Sequence, residues 1–321
     1  MQLKTKNSKL KTAEIAVRYV EFEKIVETVE SLCIAAAYEL PDDVLAALKK
    51  AAKKESNPSA AKILNQLIEN ARIAAREKIP LCQDTGLAVV FVEQGDDVAI
   101  QAAHRPSSIV PRPSSLVPHP SSIDLQSPLI GAVNAGVASG YQKGYLRKSV
   151  VGDPLNIRRN TGSNTPAIIH WTVVPGDKLK VIIMLKGAGC ENKSRFRMFN
   201  PTAQKGEIID WVVDVVREAG ADACPPFVVG VGIGGDFELS CLLSKKALLR
   251  NFNNKNTDKF YADLERDLLF RINSLGLGPQ GFGGDTTALA VLVEAAPCHI
   301  ASLPVAVNIE CHSHRHKTAI I

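Results

Sequence analysis

The 321-residue chain predicts a mixed α/β fold of the α+β kind, a helical N-terminal segment followed by a mixed-sheet domain. Three observations lead there. Apolar residues recur at helical spacing through the first 80 residues, as at Leu64, Leu67, Ile68 and Ala71. After Pro80 the texture changes to short apolar runs of strand type. A composition of 45% hydrophobic and 22% charged residues is that of a globular chain, and it excludes wholesale disorder, collagen-like structure and a coiled-coil rod. We read 1–321 as a single domain, with a helical part at 1–80, an insertion at 105–125 and a mixed α/β part at 126–321.

In chain order, helices are expected over 20–37, 43–54 and 59–77. Pro41-Asp42-Asp43 and Asn57-Pro58-Ser59 supply the breaks and caps between them. Run 87–92 reads as a strand, with 98–102 as its partner. Residues 105–125 read RPSSIVP, RPSSLVP and HPSSIDL, a seven-residue repeat whose prolines forbid a helical heptad. This is an irregular or polyproline-like surface insertion. A helix follows at 129–143. The runs 167–174 and 179–185, joined by Pro175-Gly176-Asp177, have the form of a hairpin. Beyond them, helices fall at 207–219, 238–250 and 258–274, and strands at 227–233, 288–293 and 305–309.

The formal charge of 38 − 33 = +5 is too mild to argue for nucleic acid, and 5% aromatics speak against base-stacking surfaces. No run approaches the roughly 18 apolar residues of a membrane span. The basic opening MQLKTKNSKLK has no apolar stretch behind it, so a cytoplasmic location is expected rather than secretion. Seven cysteines lie at 33, 82, 190, 224, 241, 298 and 311. In a reducing compartment they read as buried apolar residues, catalytic thiols or metal ligands before disulfides.

Several motifs have two readings. GVGIGG at 230–235 fits a dinucleotide fingerprint, but its glycines interrupt a strand instead of following one, so close backbone packing is the better reading. CHSHRH at 311–316 offers zinc ligands without a second half-site, and a solvated basic stretch explains its histidines. CQDTG at 82–86 sets a thiol two residues from a carboxylate, between a helix end and a strand. It is either a capped turn or a loop joining a metal ligand to a catalytic acid or base. Cys224 is followed by two prolines that fix the backbone just before a buried strand, and Cys311 follows another apolar run. Both suit a metal ligand or a packed thiol. KGAGCENKS at 186–194, with Arg147, Lys148 and Arg158-Arg159 nearby in sequence, suits a carboxylate or phosphate, or is ordinary surface charge. The loop 275–287 lacks the ending of a phosphate-binding loop and reads as a flexible connection.

Taken together, CQDTG at 82–86, YLRKSVV at 145–151, NTGSNTPAIIH at 160–170, KGAGCENKS at 186–194, ACPPFVVGVGIGG at 223–235, LGLGPQGFGGDTTAL at 275–289 and LPVAVNIECHSHRH at 303–316 closely resemble the class I fumarase and L(+)-tartrate dehydratase family. The match is to the α subunit of the two-subunit type and runs from about residue 20 onward. The resemblance implies an iron–sulfur hydro-lyase that adds or removes water across a small dicarboxylic acid, fumarate to malate or tartrate to oxaloacetate. It also implies a [4Fe–4S] cluster on Cys82, Cys224 and Cys311, with one iron left open as a Lewis acid. By the same resemblance Asp84 and His299 are catalytic residues near the cluster, and Arg147, Gly187 and Gly189 face the substrate carboxylates. The family's remaining catalytic groups lie in a β region, so a β subunit in an α2β2 assembly is expected. The alternative is a non-catalytic or assembly subunit that keeps the fold. Cys190 and Asp285 depart from the family's pattern, and Cys33, Cys241 and Cys298 are expected to be buried structural thiols.

Overall fold

A computed structural model describes residues 17–101 and 127–321, so the repeat insertion at 105–125 lies outside the described residues. The element order is β1 (Arg18–Glu21), α1 (Phe22–Tyr38), α2 (Asp42–Lys54), α3 (Pro58–Glu77), β2 (Leu87–Gly95), β3 (Val98–Gln101), α4 (Pro128–Lys143), β4 (Ile168–Val174), β5 (Leu179–Lys186) and α5 (Ala188–Glu191). It continues with β6 (Arg195–Phe199), α6 (Lys205–Ala219), β7 (Phe227–Gly235), α7 (Phe237–Ala247), α8 (Lys259–Asn273), β8 (Ala288–Cys298), β9 (Leu303–Glu310) and β10 (His316–Ile320). The mixed α/β expectation holds. Asn57 caps α3 as expected, its Oδ1 accepting from the Ser59 and Ala60 amides, with Pro58 in the first turn.

The strands form two four-stranded sheets, β10-β5-β2-β4 and β6-β9-β7-β8, besides a small parallel β1-β3 pair. Two sequence expectations are corrected here. The hairpin of 167–174 with 179–185 does not form, because β2 lies between β4 and β5, parallel to one and antiparallel to the other. The reason is in β2 itself. Ala88, Val90 and Val92 pack into the cluster containing α1 and α4, while Val89 and Phe91 pack into another, so the strand is buried on both faces and takes neighbours on both edges. The Pro175-Gly176-Asp177 turn instead meets the turn after β2, with Asp97 N donating to Gly176 O. Nor is β3 the partner of β2; it pairs with β1.

The layers follow from the apolar clusters. α1 and α4 cover the outer face of the first sheet, and α6 and α8 that of the second. A third cluster joins the inner faces, with Val89, Phe91 and Met184 against Ala247 and Leu248 at the end of α7 and Val228, Ala290 and Leu292. The glycines of GVGIGG belong to this interior. Phe227, Val229, Val231 and Ile233 point toward α6 and α8, so Gly230 and Gly232 face α7. There a Cβ would stand 2.0 Å from Ser244 O and 2.0 Å from Ser240 O. The expected close packing is what the structure contains. Gly232→Ala is expected to cost about 3 kcal/mol in denaturant unfolding through this overlap, because the obstructing atom is backbone; a loss below about 0.5 kcal/mol contradicts it. No helix among the described residues is long and apolar enough to cross a membrane.

Candidate active site

Two connections cross between the sheets at the same end: α5 between β5 and β6, and residues 311–315 between β9 and β10. β2 begins at that end of the first sheet, with Leu87 opposite Lys186, and β7 begins at that end of the second, with Val228 opposite Glu310. The crossing point therefore receives CQDTG, KGAGCENKS, the Cys224 turn and CHSHRH.

Hydrogen bonds tie these segments together. Asp84 Oδ2 accepts from Ala188 N at 2.9 Å, and its Oδ1 from Gly86 N at 3.0 Å. Arg315 Nη1 donates to Asp84 O at 2.7 Å, and His312 N to Cys224 O at 3.3 Å. Gly86 has φ +75, and a Cβ there would lie 2.5 Å from Lys186 O, so only glycine lets the loop approach β5 this closely. A Cβ on the buried Gly187 would lie 3.3 Å from Asp84 Oδ2 and 3.7 Å from Arg315 Nη2, so a side chain there would crowd the Asp84 carboxylate. Gly189 is exposed, in α5. Arg147 is exposed; its carbonyl accepts from Thr85 Oγ1 at 2.8 Å, and its guanidinium has no partner among the described residues.

All seven cysteines are free. Cys82 and Cys311 are half-buried and Cys224 is exposed, in a left-handed backbone conformation at φ 56. Partial burial of the sulfur, and then the neighbouring Cys311 and Cys82 thiols, push the Cys224 pKa up, which places both thiols near Cys224. A hydrogen bond from Cys190 lowers the Cys311 pKa, against burial and Glu310. His299 does not join this group. Gly235 at the end of β7 pairs with Cys298, eight residues along from Phe227, so His299 stands about 26 Å from the cysteine end of the sheet in the same chain.

Behind the site lies a buried polar layer. Lys186 Nζ donates to Ile309 O at 2.7 Å and sits 3.1 Å from Glu191 and 3.3 Å from Glu310, with Lys186 and Glu310 both fully buried. Burial opposes the charge on Lys186, but Glu310, Cys190 and Glu191 outweigh it and raise its pKa. Sequence reasoning missed three supports. Tyr141 Oη lies 3.0 Å from Thr85 O and 2.9 Å from Gly86 O. Asn164 accepts from Ser149 N at 2.7 Å and donates to Gly86 O at 3.2 Å, joining YLRKSVV to CQDTG. Gln280 donates its backbone and side-chain N–H groups to Pro225 O at 2.8 and 2.7 Å, so the loop 275–287 clamps the Cys224 turn and is no flexible connection. Asp285 N donates to Glu55 Oε1, which anchors the same loop to the α2–α3 junction. The signals were present as a tyrosine on an apolar helix face and a polar run inside NTGSNTP.

CHSHRH is also corrected. Ser313, His314 and Arg315 are buried, not solvated, because this stretch is the crossover itself. Of the remaining cysteines only Cys33 is buried; Cys241 is half-buried and Cys298 exposed. His314 Nε2 donates to Leu248 O at 2.8 Å. Burial pushes the pKa of His312 and of His314 down to about 4 and that of His316 to about 3. With folded values below the unfolded 6.5, the unfolded chain takes up these protons first. Stability is thus full above 6.5 and falls as pH drops toward 4, by about 4 kcal/mol per unit for three protons. Denaturant unfolding across this range checks it, and His314→Gln is expected to lower the slope by about a third. A stability that does not fall on acidification contradicts it.

The fold is thus a mixed α/β chain in which free thiols, a backbone-held carboxylate and cations meet at a junction between two sheets. The chain belongs to the fumarate hydratase (Fumerase) family of hydro-lyases, whose profile matches residues 26–109 and 116–320. It is 39% identical over 296 residues to the putative L(+)-tartrate dehydratase subunit alpha of Methanocaldococcus jannaschii, covering 91% of this chain and 95% of that protein. It is 30% identical over 301 residues to the L(+)-tartrate dehydratase subunit alpha of Escherichia coli O157:H7, covering 93% and 91%.

Proposed function

We propose that this chain is the α subunit of a [4Fe–4S]-dependent hydro-lyase that reversibly hydrates or dehydrates a small dicarboxylic acid, and that a β subunit completes it in an α2β2 assembly. The observation that carries the proposal is the meeting of Cys82, Cys224, Cys311 and Asp84 at one crossing point, in a chain of the fumarate hydratase family. The donor set fits the cluster. Three free thiols arrive from three separate segments, and thiolates are the ligands such clusters take. Three ligands leave one iron open, and when bound the cluster supplies a Lewis acid for the substrate hydroxyl.

The chain's own residues do the rest. Asp84, fixed by the Gly86 and Ala188 amides, presents a carboxylate to take or give the proton that moves with water. Arg147, exposed and unpaired among the described residues, supplies a two-pronged donor for a substrate carboxylate. Gly187 keeps a side chain from crowding the Asp84 carboxylate, and with the exposed Gly189 it lies beside that carboxylate to face a substrate carboxylate. His299 is left out of the proposed site because of its distance from the cysteines. Seven free cysteines suit a reducing compartment, which supports a cytoplasmic location.

The family's name directs attention to fumarate and malate, and the relatives' names to L(+)-tartrate. The chain purified anaerobically with a co-expressed β subunit is expected to turn over one of these acids, and the isolated chain none. Full turnover by the isolated chain contradicts the two-subunit reading; no turnover of any dicarboxylate by the complex contradicts the hydro-lyase reading.

A further inference from the structure

Cys190 and Cys311 reach one spot from different elements, Cys190 from α5 and Cys311 from the end of β9. Their sulfurs and a Glu310 carboxylate oxygen all lie within 4.8 Å of one another. Both sulfurs face Glu310 Oε1, at 3.4 and 3.8 Å. Donors so arranged resemble a cation site, but the place of a metal ion is already taken. Lys186 Nζ lies 3.2 Å from Cys190 Sγ and 3.3 Å from Glu310 Oε2, so an ammonium supplies the positive charge. What remains is a pair of adjacent thiols, one half-buried and one 3% exposed.

We propose that Cys190 and Cys311 form a redox modification site, in which a small-molecule disulfide oxidises the cluster-free chain to an intramolecular Cys190–Cys311 disulfide. The oxidant meets the more accessible Cys311 first. The Cys311 thiolate attacks one sulfur of the disulfide RSSR, forming Cys311–S–S–R and expelling RS⁻. Cys190 then gives up its proton and attacks the Cys311 sulfur, forming the internal bond and expelling the second RS⁻. Two protein thiols are oxidised, one RSSR is reduced to two RSH, and these carry off both protons. The sulfurs must close to about 2.05 Å, and α5, a four-residue helix with exposed Ala188 and Gly189, is the element able to shift. The pairing stands on this geometry alone. Its consequence rests on the proposed cluster, since Cys311 in a disulfide is withdrawn from ligation.

The test treats the cluster-free full-length chain with oxidised glutathione, blocks remaining thiols by alkylation, and maps the peptides by mass spectrometry. The expected product is a cross-linked pair joining the Cys190 and Cys311 peptides, lighter by two hydrogens and opened by dithiothreitol. Cys190→Ser is expected to carry glutathione on Cys311 instead. Recovery of Cys311 free, or joined to Cys82 or Cys224, overturns the proposal. Iron uptake is then compared between oxidised and reduced chains. Loss in the oxidised chain alone supports the consequence, and equal uptake by both overturns it. Absence of uptake in both counts against the cluster itself, while the peptide map still decides the pairing.

Discussion

An Asp84→Asn chain, assembled with the proposed β subunit, is expected to lose about 10²–10⁴-fold in turnover with little change in stability. The substitution keeps the side chain's size and one oxygen for the Gly86 or Ala188 amide, so the loop between Pro80 and β2 stays in place. It removes the group able to exchange a proton. Iron content is expected to match the parent, because the thiols are untouched. Less than a tenfold loss moves the proton transfer to another residue. A loss of iron together with turnover makes Asp84 a support for the Cys82 loop instead.

The largest stability effect is expected at Lys186. It joins the end of β5 to the end of β9 through Ile309 O and Glu310, behind Cys311. Lys186→Met keeps the stem but leaves the fully buried Glu310 carboxylate without its cation, at a cost of about 3–5 kcal/mol. Adding Glu310→Gln to that variant is expected to recover part of the loss, since the unpaired charge, not the missing bond, dominates it. Denaturant midpoints of the two single variants and the double variant give the coupling directly. A Lys186→Met loss below about 1 kcal/mol contradicts a charged, paired Lys186.

Much of the architecture was legible in the residues. The helices α1 to α4 and α6 to α8 carry their apolar stripes openly, and the caps at Asn57 and Pro41 fall where punctuation residues stand. The glycines of GVGIGG were legible as packing, because they interrupt an apolar run that still reads as one strand. Strand order was not legible. A hairpin between 167–174 and 179–185 is the cheapest local arrangement, and only the demand of β2 for two neighbours displaces it. The edge strands β1, β6 and β10 carry charged and polar residues, so their pairing depends on neighbours distant in sequence.

At the site, residue types and order pointed to the cysteines, but their meeting is a property of the two crossovers. CHSHRH illustrates the limit. Its charge reads as surface, yet Arg315 is buried because Asp84 O, in the loop before β2, accepts a hydrogen bond from it, and His314 because Leu248 O accepts one from its ring. No local pattern announces a partner 231 residues away. His299 shows the converse, since a motif places it by sequence beside LPVAVNIECHSHRH, while the length of β9 carries it to the opposite end of the sheet.

The measurement that tests the central claim most directly is iron and sulfide content, with the visible absorption spectrum, after anaerobic purification with the β subunit. The account predicts a brown protein with about four irons per α chain. It further predicts that Cys82→Ser, Cys224→Ser and Cys311→Ser each lose the absorbance while Cys190→Ser keeps it. A colourless complex without iron, or a cluster that survives all three substitutions, contradicts it.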